Sequence, residues 1–184
     1  MDMDLLDLYR RSSDWASSNV AAASKDLDAA TPCDDWDVRT LMNHMLETQQ
    51  YFVRSARGED ASPPSPTPPD LMSGDPAGDF EAVQSEMLTT FADPEVIDRA
   101  GPALGIAFSD QLLHGWDLAQ AAGQDATMPE GLPEAAYSLI HGRFTEDERK
   151  GVFKPEIAVP STATPQDRLL AYTGREPGPM RSPG

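Results

Sequence analysis

Residues Leu104 to Ala122 are apolar almost all the way round a helical wheel, yet they carry Asp110 and His114. This segment constrains the fold more than any other. A helix that is apolar on every side has to be buried, so the rest of the chain must wrap other helices around it. Positions i and i+4 share one helical face, one turn apart, so the carboxylate and the imidazole project together into whatever packs there. Burying both is costly unless each finds a partner.

The remaining segments supply the wrapping helices. From about Asp4 to Leu27, Leu8, Tyr9, Ala16, Val20 and Ala23 recur near helical spacing. Asp37 reads as an N-cap, with Trp36 and Leu41 at the two positions of a hydrophobic staple, and opens a second helix through His44 and Phe52 to about Gly58. Five prolines between Ala61 and Pro69 forbid regular helix, so the stretch to Gly78 is expected to be a mobile or extended loop. A third helix follows from Asp79 to Phe91 and is ended by Asp93-Pro94. The fourth is expected to start near Pro102, as a first-turn proline, and to stop at Gly123. Beyond it the pattern gives a short helix from Pro133 to about Phe144 and a charged turn from Glu146 to Gly151. Extended pieces follow at Val152-Phe153 and Ile157–Val159, then a last helix opened by Thr164-Pro165-Gln166-Asp167. The predicted class is mainly α. A four-helix bundle spans 1–125, and 126–176 form a C-terminal appendage of short helices and a small β element packed on it; 177–184 are a flexible tail.

Charge narrows the partners. With 31 acidic against 14 basic residues the net charge is −17, which repels phosphate backbones and anionic lipid surfaces. Nucleic acid and membrane are therefore not expected partners. No apolar run approaches the ~18 residues of a transmembrane span. The start, Met1-Asp2-Met3-Asp4, is acidic where a secretory signal is basic. The single cysteine, Cys33, excludes an internal disulfide and any cysteine-rich zinc motif. A cytoplasmic monomer or homodimer is the expectation.

Three histidines are present: His44, His114 and His141. His44 lies in the apolar run Leu41–Leu46, so two of the three fall within apolar helices, and His114 has Asp110 on its own face. Two readings stand. Each histidine can be a hydrogen-bonded core residue, with Asp110 a surface carboxylate. Alternatively His44, Asp110 and His114 converge on one divalent metal, a donor set that suits zinc, nickel or iron. Asp117 is three residues past His114, placed either to accept from an imidazole or to form a surface ion pair. Glu47 and Gln50 are expected on a solvated face, and His141 is expected to be structural or exposed. Cys33 is flanked by Asp34 and Asp35, whose charge raises a thiol pKa and argues against a reactive thiolate.

Three blocks then carry a family resemblance. Thr31-Pro32-Cys33, Trp36, Val38, Leu41 and Asn43-His44 resemble the opening motif of the mycothiol-dependent maleylpyruvate isomerase N-terminal-domain-like proteins, members of the DinB-like four-helix-bundle superfamily. Asp110, His114-Gly115-Trp116-Asp117-Leu118-Ala119 and Asp167-Arg168-Leu169-Leu170-Ala171 through Gly174-Arg175 resemble its second and third blocks. The resemblance implies a bundle with a divalent metal, zinc first with nickel or iron as alternatives, on His44, Asp110 and His114. The isomerase carries Glu where this chain has Asp110, and has a separate C-terminal domain where this chain has a short appendage. The expectation therefore turns from isomerisation to thiol S-transfer with a low-molecular-weight thiol such as mycothiol and a small electrophile. The alternative is a non-catalytic metal- or ligand-binding module of the same fold.

Overall fold

Aspartates open all four long helices. In the computed structural model, which describes residues 4–34, 36–150 and 152–178, Asp4 caps α1 (Leu5–Ala23) and Asp37 caps α2 (Val38–Ala56). Asp75 caps α3 (Pro76–Phe91) and Asp93 caps α4 (Pro94–Ala121). Each carboxylate accepts a hydrogen bond from first-turn amides that have no intrahelical partner. Three shorter helices follow: α5 (Leu132–Ile140), α6 (Glu146–Lys150) and α7 (Pro165–Tyr172). Thr164 caps α7 in a reciprocal capping box with Asp167.

Several boundaries differ from the sequence-based expectation: α1 ends at Ala23 rather than near Leu27, α3 begins at Pro76 rather than Asp79, and α5 ends at Ile140 rather than near Phe144. Helix α4 begins at Pro94 rather than near Pro102, which lies inside it. An internal proline leaves the carbonyl four residues back without its amide, but Pro102 is on the solvent side, where water can take that role. The charged stretch from Glu146, expected to be a turn, is the one-turn helix α6.

The small β element of the appendage does not form: no strand occurs among the described residues, and one isolated bridge joins Ala30 to Asp37. The Ile157 amide bonds the Ala171 carbonyl at 3.0 Å, but Pro155 and Pro160 on either side have no amide to extend a ladder. The tail assigned to 177–184 lies outside the described residues from 179 onward.

The apolar stripes close on two clusters. One joins Leu41, Met42 and Met45 of α2 with Phe80 and Val83 of α3 and Leu118 of α4. The other gathers Tyr9, Phe52, Phe91, Leu104, Phe108 and Leu112, and continues into Leu132, Leu169 and Leu170. The appendage therefore shares its apolar core with the bundle. No helix is long and apolar enough to cross a membrane among the described residues.

Helices α1 and α4 pack tightly at Gly115. A Cβ there would stand 2.9 Å from the Trp15 ring and 3.0 Å from the Ala16 Cβ. Gly115→Ala gains helix propensity worth ~1 kcal/mol, but overpacking typically costs about 1–3 kcal/mol. The contact with Ala16 cannot rotate away, so the clash is expected to win. Thermal unfolding should show Tm lowered by about 2–6 °C. An unchanged or higher Tm would mean that α1 slides aside freely.

Candidate metal centre

Helices α2 and α4 bring His44, Asp110 and His114 together. Asp110 Oδ1 lies 3.6 Å from His44 Nε2 and 3.5 Å from His114 Nε2. The two imidazoles meet edge to face, with centroids 5.1 Å apart. Among the described residues these three side chains, and no fourth, offer donor atoms within 4.8 Å of one another at this point. All three are largely withdrawn from solvent, with side-chain exposures of 12–16%. Trp36, on the loop before α2, packs its ring 4.7 Å from that of His44.

His114 is held between two carboxylates. Its Nδ1 is 2.9 Å from Asp117 Oδ2. A carboxylate only accepts, so Nδ1 carries a proton there, and Nε2 faces Asp110. Asp117 is itself gripped by Arg175, whose Nε and Nη2 donate to its two oxygens at 2.9 and 2.7 Å. Burial opposes ionisation of Asp117, but the guanidinium overrides it and holds the carboxyl well below the usual range. Burial likewise opposes the charge on Asp110, and His114 and His44 together keep that carboxyl below its ordinary value.

An acceptor oxygen facing two imidazole nitrogens at 3.5–3.6 Å is an arrangement that can hold a cation between them. One further atom points the same way. Asp110 Oδ2 is buried with no hydrogen-bond partner, an arrangement that native proteins avoid unless something else satisfies the group. Two imidazoles and a carboxylate, with an oxygen to spare, fit a divalent transition metal.

A second convergence, of Cys33, His114 and Asp117, is a poorer fit. Arg175 already occupies both Asp117 oxygens and places a positive charge where the ion would sit. Cys33 instead donates its S–H to Asp117 Oδ2 at 3.2 Å. Burial, and then the charge of Asp117, push this thiol strongly upward. The low reactivity expected from the sequence has its source in burial and in a carboxylate on α4, Asp117. Alkylation by iodoacetamide at pH 8, followed by mass spectrometry, should be at least about tenfold slower in the folded than in the denatured protein, because each unit by which the pKa rises removes about tenfold of the thiolate. Equal rates would place Cys33 outside this environment.

The three side chains border a cavity of about 750 Å³. Its wall includes Cys33 and Trp36 before α2, Pro64 to Pro66 of the proline-rich segment, and residues 152–154 with Arg175 from the appendage. The proline-rich segment is pinned. Glu47 accepts from the Ser65 amide at 3.0 Å, and Asn43 accepts from Leu71 and Met72 at 2.7 and 3.1 Å. Glu47 thus holds the cavity wall and does not enter the cluster, and Gln50 is exposed. His141 is exposed as well, stacked on Tyr137 at 4.7 Å. The residue that sequence reasoning passed over is Arg175. A fully buried Asp on an apolar helix requires a cation, and that was the available signal.

Fold and site together define a helical bundle with a His, Asp, His cluster backed by a buried carboxylate–guanidinium pair. The chain belongs to the mycothiol maleylpyruvate isomerase N-terminal domain family, which matches residues 10–132. It is similar to two uncharacterized proteins of Mycobacterium tuberculosis, from strains CDC 1551 and H37Rv. Each is 30% identical over 185 residues, covering 94% of this chain and 98% of the relative. No solved structure matches.

Proposed function

We propose that the chain is a metal-dependent thiol S-transferase. His44, Asp110 and His114 hold a divalent metal, and the adjoining cavity receives a low-molecular-weight thiol such as mycothiol together with a small electrophile. The observation that carries this reading is Asp110, with one oxygen facing two imidazole nitrogens and the other buried without a partner. Zinc suits the donor set best, and nickel or iron would be held by the same atoms. A purely structural site is closed by a fourth protein ligand. Three donors converge among the described residues, and the cavity lies directly beside them, which favours catalysis over a non-catalytic module. The thiol half of the reading is supported by the family description, which names mycothiol.

When bound, a divalent ion lowers the pKa of a coordinated thiol and so supplies thiolate near neutral pH. The chain's own residues do the positioning. Asp117, gripped by Arg175, keeps a proton on His114 Nδ1. Trp36 holds the ring of His44. Pro64 to Pro66 and residues 152–154 wall the cavity. Cys33 stays protonated on Asp117 and is not the nucleophile. In the transfer, the sulfur lone pair forms an S–C bond to the electrophile and the thiol proton passes to solvent. In a substitution the leaving group departs with its bonding pair; in an addition to an activated double bond the π pair moves to the neighbouring carbon, which takes a proton from solvent. A reducing, cytoplasmic setting suits both the free thiol and this chemistry.

The test is conjugation of mycothiol to a panel of electrophiles, with and without chelator. Conjugates are expected, lost on chelation and restored by zinc. Absent or metal-independent conjugation across the panel would overturn the proposal.

A further inference from the structure

We infer that the second substrate of this cavity is an uncharged molecule with an aromatic or branched apolar body, and not a small dicarboxylate. The inference takes its chemistry from the thiol-transfer reading above, but its argument about charge stands on the cavity wall alone.

Away from the histidines the wall is mainly apolar, with Thr48, Tyr51, Ser65, Ser109 and Thr173 as its neutral polar residues. Leu113, Ile140, Phe144 and Phe153 line it, together with Ile106 and Val152. Those last two are 49% and 59% exposed and are the exposed large hydrophobics among the described residues. Single exposed apolar side chains are ordinary. Here both border one cavity, which also contains the His and Asp cluster, so an apolar ligand seated there would cover them. The volume of about 750 Å³ falls within the roughly 300–1,000 Å³ of small-molecule sites.

The charges of the wall are already matched. Its two cations are Arg175 and Lys154. Arg175 is committed to both oxygens of Asp117. Lys154 Nζ donates to the Pro32 carbonyl at 3.1 Å and pairs with Asp34 at 2.8 Å. Among the described lining residues both cations already have acidic partners, the Arg175–Asp117 pair buried and the Lys154–Asp34 pair at the surface. A dianion would also approach a chain of net charge −17. Dehydrating its carboxylates against apolar side chains is unfavourable.

The experiment uses two competitors with the same four-carbon diacid skeleton, one dianionic and one an uncharged diester. N-phenyl-1-naphthylamine, an uncharged dye that brightens in apolar surroundings, is titrated into the purified full chain. It is then displaced with dimethyl maleate or with maleate. The dye should bind saturably. Dimethyl maleate should displace it, and maleate at the same concentration should leave it bound. Ile106→Asp and Val152→Asp should each weaken the dye by about tenfold, the loss of roughly one aliphatic contact. Both positions are exposed, so circular dichroism should be unchanged. Displacement by maleate equal to that by its diester, absence of dye binding, or unchanged binding in both variants would overturn the inference. Displacement by the diester with no conjugate formed would leave this inference standing and remove the thiol-transfer reading. Conjugation that prefers maleate would do the reverse.

Discussion

His114→Ala is expected to purify without metal, to conjugate no thiol, and to unfold at the same temperature with or without chelator. His114 links the cluster in two directions: its Nε2 faces Asp110 at 3.5 Å and its Nδ1 is bonded to Asp117 at 2.9 Å. Removing it leaves His44 and Asp110, two donors where the proposed site has three. It also takes away the imidazole that Asp117 orients. Any ion that binds only the folded chain stabilises it by mass action, by about 2.7 kcal/mol at a hundredfold excess over Kd. The parent Tm should therefore fall by roughly 5–11 °C when chelator strips the site. His141→Ala is the control, since His141 is exposed against Tyr137 and takes no part in the cluster. Elemental analysis and paired melting curves measure both effects. A parent protein that purifies metal-free and takes up none from zinc, nickel or ferrous solutions would remove the metal reading altogether.

The convergence of His44, Asp110 and His114 was legible in the sequence because it depends on short-range geometry. The i,i+4 spacing places two of the groups on one face, and the apolar run around His44 requires that helix to bury its histidine side. The caps at Asp37 and Thr164 were legible for the same reason, since a cap acts within one turn. The features that escaped depend on tertiary contacts. Arg175 reaches Asp117 across 58 residues of chain, and nothing local to Arg175 distinguishes it from a surface arginine. Cys33 lies beside Asp34 in sequence, yet the carboxylate that receives its proton is Asp117. The start of α4 was misplaced because Pro94 and Pro102 are both acceptable first-turn prolines by residue type. The Asp93 cap and the solvent position of Pro102 distinguish them, and only the first of these is a local property.

Arg175→Ala is expected to be the most destabilising single change in the site, and its rescue separates two roles of the Asp117 pair. Asp117 is fully buried and Arg175 nearly so, at 0% and 12% side-chain exposure. Truncating the arginine strands a carboxylate in the interior, which typically costs about 3–5 kcal/mol. For a chain of this size that is a Tm lower by roughly 10 °C or more. It also releases the segment after α7 from α4, because Arg175 spans the two. Replacing both partners with apolar residues of similar bulk, Asp117→Leu with Arg175→Met, strands no charge and should recover most of the lost stability. The double variant nevertheless leaves the His114 Nδ1–H without its acceptor, and Cys33 without its own. Losing the group that orients a ligating imidazole commonly costs 10- to 100-fold in metal affinity, so zinc binding should remain about that much weaker even with stability restored. Chemical denaturation and competitive zinc titration on parent, single and double variants measure the two effects independently. A single variant as stable as the parent would mean that the pair does not hold the appendage to the bundle. A double variant that binds zinc as tightly as the parent would mean that Asp117 does not set the orientation of His114, and that its burial beneath the cluster serves packing alone.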